Sequence, residues 1–212
     1  MVKSNLLTAL LFTIATQFSI AQIKAVTENG DEVLLNSDGT WRYTSDVEAK
    51  STTTIKENTL PFKKPVSSTF LLKSAKINVG FWLDPKVWSF KKADAGEASE
   101  YKLSCKTEDF YAMIITEKIE IPLEELREIA IENAREAAPD IKVVSEEYRN
   151  VNGLRVFCMQ MEGSMKGIKF SYLGYYYTTS DATVQFVTYT SQALMKSKRT
   201  IAESLLNGIV KL

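Results

Sequence analysis

The sequence predicts an α+β protein, an antiparallel sheet flanked by helices, preceded by a small N-terminal β unit. Hydrophobic alternation at period two recurs along most of residues 69–212. It gives way to helical spacing in two stretches. Asn152-Gly153 and Ser180-Asp181 separate later strands by hairpin-length gaps, which makes those strands antiparallel neighbours.

The elements follow in chain order. Lys3 supplies a short positive region, Leu6 to Phe18 is apolar and uncharged, and Ser19-Ile20-Ala21 places small residues where a signal peptidase reads. Residues 1–21 therefore read as a cleavable signal peptide, and the mature chain begins at Gln22. The apolar run is short of the roughly 20 residues that span a bilayer, and no cysteine follows it to accept a lipid. No later segment is apolar enough to serve as a transmembrane anchor, so the expected location is periplasmic or secreted.

Residues 22–44 read as a small β module. Ile23–Val26 alternates, Asn29-Gly30 tolerates positive φ and turns the chain, Val33–Leu35 returns, and Ser37-Asp38-Gly39 leads to Trp41-Arg42-Tyr43. Three such short strands bury little surface, so the module should lean on something through Trp41. Residues 45–68, polar and punctuated by proline, read as a linker.

The main domain, residues 69–212, opens with a strand over Ile77–Phe81, an Asp84-Pro85 turn and a short strand at Trp88. Tyr101–Cys105 alternates, whereas Phe110–Thr116 is more continuously apolar, as in a central strand. Leu123–Ala137 carries Leu126, Ile129, Ala130, Asn133, Ala134 and Ala137 at helical spacing, with Pro122 at its start and Pro139 as its stop. Strands at Ile141–Arg149, Leu154–Met161, Ile168–Thr178 and Thr183–Thr190 follow, then an amphipathic helix over about Lys198–Val210.

Phe81-Trp82-Leu83-Asp84-Pro85-Lys86-Val87-Trp88 resembles the opening strand, proline turn and tryptophan of PsbP-like domains. The mid-domain helix, Val151-Asn152-Gly153-Leu154 opening a meander that contains Tyr175-Tyr176-Tyr177, and the closing helix extend the resemblance over residues 70–212. It implies an α/β/α sandwich and a family that includes non-catalytic accessory and partner-binding proteins. Residues 22–44, with Asp38-Gly39-Thr40-Trp41, are similar to a small module near the start of various exported bacterial proteins. No functional residue carries over from either resemblance.

Composition narrows the chemistry. With 26 basic and 26 acidic residues the chain has no electrostatic footprint for nucleic acid. It contains no histidine, which removes histidine-based triads and every histidine-dependent metal site. Two cysteines do not make a structural zinc site, and no phosphate-binding glycine loop is present. Cofactors and metals are therefore not expected. Cys105 and Cys158 can pair in an oxidising compartment if their strands are neighbours; two buried thiols are the alternative.

Three constellations remain. Ser164 and Lys166 could form a nucleophile and base, but both fall in a turn, where an exposed lysine stays protonated. Glu124, Glu128, Glu132 and Glu136 make a row that could hold a hard cation, yet Arg127 and Arg135 interleave and favour a salt-bridged solvated face. Tyr172 and Tyr176 share one strand face, Tyr175 and Tyr177 the other, with Tyr189 on the next strand. Such tyrosines pack under a helix or form a partner surface; Tyr175, Tyr177 and Tyr189 are the candidates for the latter.

The expected function is that of an exported, non-catalytic binding or accessory protein whose partner is an envelope protein or a small ligand. The alternative is a hydrolase-type enzyme using carboxylates, lysine or tyrosine alone. A third reading is a structural envelope protein anchored through residues 22–44.

Overall fold

The architecture is that of a computed structural model, which describes residues 23–27, 30, 32–36, 39–43 and 55–212. The signal peptide expected at residues 1–21, the turn residues Asn29, Ser37 and Asp38, and residues 44–54 lie outside the described residues. The chain divides into two compact units, Met1–Thr54 and Ile55–Leu212.

In the first unit, β1 (Ile23–Val26), β2 (Glu32–Leu35) and β3 (Trp41–Tyr43) pair antiparallel in that order. Gly30 and Gly39 turn the chain at φ of 87° and 86°. Val33 and Leu34 are buried. Within this unit Trp41 is 53% exposed and meets Tyr43 edge to face at 5.2 Å.

The second unit is built on an eight-stranded sheet. Its strands are β4 (Glu57–Phe62), β7 (Trp88–Lys92), β8 (Tyr101–Cys105), β9 (Tyr111–Glu117), β10 (Lys142–Val151), β11 (Leu154–Met165), β12 (Ile168–Thr178) and β13 (Thr183–Ser191). The order across the sheet is β4-β10-β11-β12-β13-β9-β8-β7, antiparallel throughout except where β4 runs parallel to β10. A second sheet sets β6 (Val79–Leu83) between β5 (Phe70–Lys73) and β14 (Ile209–Lys211).

Two boundaries differ from expectation. Residues 57–62, read as linker, are the edge strand β4; Leu60 and Pro61 interrupt its alternation, which hid the strand. Ile209 and Val210, read as helix, belong to β14, paired with Phe81 and Gly80. The turn at Gly208 makes this switch, because Trp82 N–H donates to Gly208 O at 2.8 Å.

The Asn152-Gly153 turn forms as read, at φ 51° and 86°. Strand β11 runs on to Met165, past its expected end at Met161, so the next turn shrinks to Lys166 and Gly167 at φ 51° and 81°. Helix α1 (Leu123–Ala137) starts after Pro122 and ends at Ala138, which is extended ahead of Pro139. Its buried residues Leu126, Ala130, Ile131 and Ala134 pack on Tyr148, Phe157, Met159 and Tyr176 on one sheet face. Helix α2 (Gln192–Leu206) starts earlier than expected, because the Ser191 hydroxyl caps it by accepting from Leu194 N–H at 3.2 Å. It kinks at Lys198 and buries Met195, Ala202, Leu205 and Leu206 against Cys158, Leu173, Tyr175 and Phe186 on the opposite face.

The unit is thus a large, mostly antiparallel sheet with a single helix on either face, each helix covering part of its face.

Candidate functional site

Strand alternation sorts the tyrosines. Tyr175 and Tyr177 point to the α2 face, but the β12–β13 register sets Tyr189 opposite Tyr172, on the α1 face. The three candidates therefore do not form one surface. Tyr175 is fully buried; its hydroxyl accepts from Arg149 Nη1 at 3.0 Å and donates to Asn207 Oδ1 at 2.8 Å. Tyr177 is half-buried beside the same core. Of the three, Tyr189 alone reaches an open surface together with other aromatic rings.

That surface has a clear origin. Helix α1 lies over β10 to β12, and the β9–α1 connection crosses β13 where Thr183 Oγ1 donates to Ile119 O at 2.6 Å. Within the Ile55–Leu212 unit the far corner of this face stays uncovered. There Phe170 meets Tyr172 at 4.9 Å, Tyr172 meets Tyr189 at 6.0 Å, and Tyr189 stacks on Tyr111 at 5.6 Å with planes 23° apart. Register places Met165 and Ile168 on the same face at the hairpin end of β11 and β12, and Met113 beside Tyr111 on β9. Ile168 is 66% exposed, and Met165 and Tyr111 are exposed as well. The result is an apolar strip across four strands.

Its polar fittings are few. The Tyr111 hydroxyl donates to Asp109 Oδ1 at 2.7 Å, and this bond raises its pKa. Burial, then the neighbouring Tyr189, raises Tyr172; burial raises Tyr189. Neither the Tyr172 nor the Tyr189 hydroxyl has a hydrogen bond among the described residues. Two rings present flat area and unspent donors, an arrangement suited to a partner that brings apolar groups and acceptors. Sequence reasoning missed Tyr111, Met165 and Ile168. The run at Phe110–Thr116 reads as apolar on both faces, and only the β9–β13 register shows Tyr111 opposite Tyr189.

Arg149, buried, donates to Glu147 Oε1 at 2.5 Å and Glu203 Oε1 at 3.2 Å and lies 4.4 Å from the Phe62 ring centre. Burial works against the Glu147 carboxylate, but hydrogen bonds from Arg149 and Asn58 outweigh it and lower its pKa. Cys105 and Cys158 are free thiols, the alternative to a disulfide that the sequence left open, with Cys158 buried and Cys105 partly exposed. Strands β12, β13 and β9 lie between theirs, a separation of about 19 Å at roughly 4.8 Å per strand, far beyond bridging range. Ser164 ends in strand β11 and Lys166 in the exposed turn. Glu124, Glu128, Glu132 and Glu136 are exposed, and Arg127 ties Glu128 to Glu146 of β10. Among the described residues no three acidic or thiol groups gather to hold a metal, and no helix is long and apolar enough to cross a membrane.

Comparison with known proteins yields the fold. No family model matches the chain, and no curated protein matches it. The solution structure of the cyanobacterial PsbP of Synechocystis sp. PCC 6803 superposes with a TM-score of 0.56 at 10% identity, over 70% of this chain and 95% of that one. A Pseudomonas aeruginosa protein of unknown function gives 0.43 at 12% identity over 68% and 96% of the two chains. LpqN, involved in cell envelope biogenesis of Mycobacterium tuberculosis, gives 0.44 at 9% identity over 62% and 82%. The Ile55–Leu212 unit has a PsbP-like fold.

Proposed function

We propose that this chain is an exported, non-catalytic accessory protein that binds a protein partner through the strip formed by Ile168, Tyr172, Tyr189 and Tyr111. The observation that carries the reading is the corner of the sheet that α1 leaves open: Tyr111 stacked on Tyr189, Tyr172 meeting Tyr189 edge to face, the last two with unpaired hydroxyls among the described residues, all joined to exposed Met165 and Ile168. Contiguous exposed apolar surface of this kind is costly to leave in water and marks interaction sites. The partner presents apolar side chains to the rings and carbonyl or carboxylate oxygens to the hydroxyls. Export rests on the leader-like residues 1–21, and the accessory role agrees with the PsbP-like fold.

A photo-crosslinking residue at Ile168 tests the surface in the full chain produced in its source cell. The expected result is one discrete adduct from Ile168 and none from Val66, which is exposed outside the strip. Equal labelling from both positions, or no adduct from either, counts against the proposal. N-terminal sequencing of the product outside the cytoplasm should begin at Gln22; retention of residues 1–21 on a cytoplasmic protein would defeat the export half.

A further inference from the structure

On the opposite side of the sheet a cavity of about 200 Å³ opens between the β4–β5 connection, the β6–β7 turn and α2. Its apolar walls are Ile201, Leu205 and Trp88. Its polar residues are Ser67, Ser68, Asp84, Thr200 and Ser204. Ser68 is 2% exposed and Trp88 3% exposed, yet neither the Ser68 hydroxyl nor the Trp88 indole N–H has a hydrogen bond among the described residues. The Ser68 backbone is fully engaged: its N–H donates to Pro65 O at 3.1 Å and its carbonyl accepts from Lys64 Nζ at 2.9 Å. Its hydroxyl is the one group left over. Buried donors of this type almost always find a partner, and leaving one unpaired is destabilising. Asp84 supplies the complement. Its Oδ1 accepts from Lys86 N–H at 2.8 Å, and it forms no ion pair among the described residues.

The volume holds about six or seven waters at roughly 30 Å³ each and falls below the roughly 300 Å³ where drug-sized sites begin. The occupant must bring acceptors to Ser68 and Trp88, a donor to Asp84, and C–H surface to Ile201 and Leu205. A compound whose carbons each carry a hydroxyl brings all three. We propose that this cavity binds a small neutral polyhydroxy compound, a short polyol or a single sugar ring. An ion of either sign fits less well, since an anion would meet Asp84 and a cation would leave the two donors unpaired.

The test uses the full chain labelled with nitrogen-15, whose three tryptophans give three indole signals. Glycerol, myo-inositol and D-glucose are titrated in turn. The expected result is a saturable shift of the Trp88 signal with at least one of them, leaving Trp41 and Trp82 in place. Ser68→Ala should weaken that binding several-fold. Ser204→Leu, at the exposed mouth on α2, should abolish it with the rest of the spectrum unchanged. A linear drift shared by all three indoles, no shift with any of the compounds, or saturation that survives Ser204→Leu overturns the proposal and leaves the cavity to water.

Discussion

The Arg149 guanidinium donates to the Tyr175 hydroxyl at 3.0 Å inside the α2 side of the sheet, and Tyr175 passes the bond on to Asn207 at 2.8 Å. Strands β10 and β12 and the end of α2 are thereby joined by one buried polar chain. Removing its middle leaves Arg149 short of an acceptor and Asn207 short of a donor. Tyr175→Phe should therefore lower stability by about 1–3 kcal/mol in urea denaturation. Because the ring is buried, the same variant should keep full partner binding. Lost binding in a folded Tyr175→Phe protein would place the interaction on the wrong face.

The two thiols should differ sharply. Cys105 is partly exposed and Cys158 buried. In native protein a thiol reagent should label Cys105 first, and Cys158 only on unfolding. Burial pushes the Cys158 thiol up to about 11. Its neutral form is favoured by folding, so the associated stability is whole below the unfolded value near pH 8.5 and is lost as pH rises toward 11. Tyr175 and Tyr176, also raised by burial, add their loss only above about pH 10. Cys158→Ala should flatten the first part of that alkaline decline in thermal melts; an unchanged slope would show that the thiol is not desolvated.

Asn152 does more than turn a hairpin. Its Nδ2 donates to Asn207 O at 2.7 Å and Ile209 O at 2.8 Å, and its Oδ1 accepts from Lys64 N–H at 2.9 Å. Asn152→Gly keeps the positive φ and removes these bonds, so a loss of about 1–3 kcal/mol in urea denaturation isolates the side chain's role. A neutral effect would mean that the hairpin does not clamp the C-terminal segment.

Gly208 sits where a Cβ would lie 1.9 Å from Trp82 O. Backbone does not yield as a side-chain tip does. Gly208→Ala should break the Trp82–Gly208 hydrogen bond, detach β14 from β6 and show as a severe fall in melting temperature. A melt within a degree or two of the parent would contradict this geometry.

Much of the fold is legible where local chemistry decides it. Leu123–Ala137 forms as read because Pro122, the apolar spacing and Pro139 agree, and the Asn152-Gly153 turn forms because both residues accept positive φ. Strand β4 escaped because an edge strand with Pro61 carries no clean alternation. The site was half legible. Tyrosine surplus and period two separate Tyr172 from Tyr175. Which face a helix covers, and that Tyr189 joins Tyr172 and not Tyr175, depends on the register between strands and on where α1 lands, and no local signal encodes either.

On the proposed reading the tyrosine strip holds a protein partner. The most direct test is quantitative capture from envelope extract of the source cell, comparing the full chain with a Tyr111→Ser, Tyr189→Ser double variant. Both positions are at least partly exposed, so the fold should survive, as a matching melt would verify. A stoichiometric partner retained by the parent and lost by at least tenfold in the double variant is the predicted result. Equal retention by both proteins would contradict the account and move the interaction off this face.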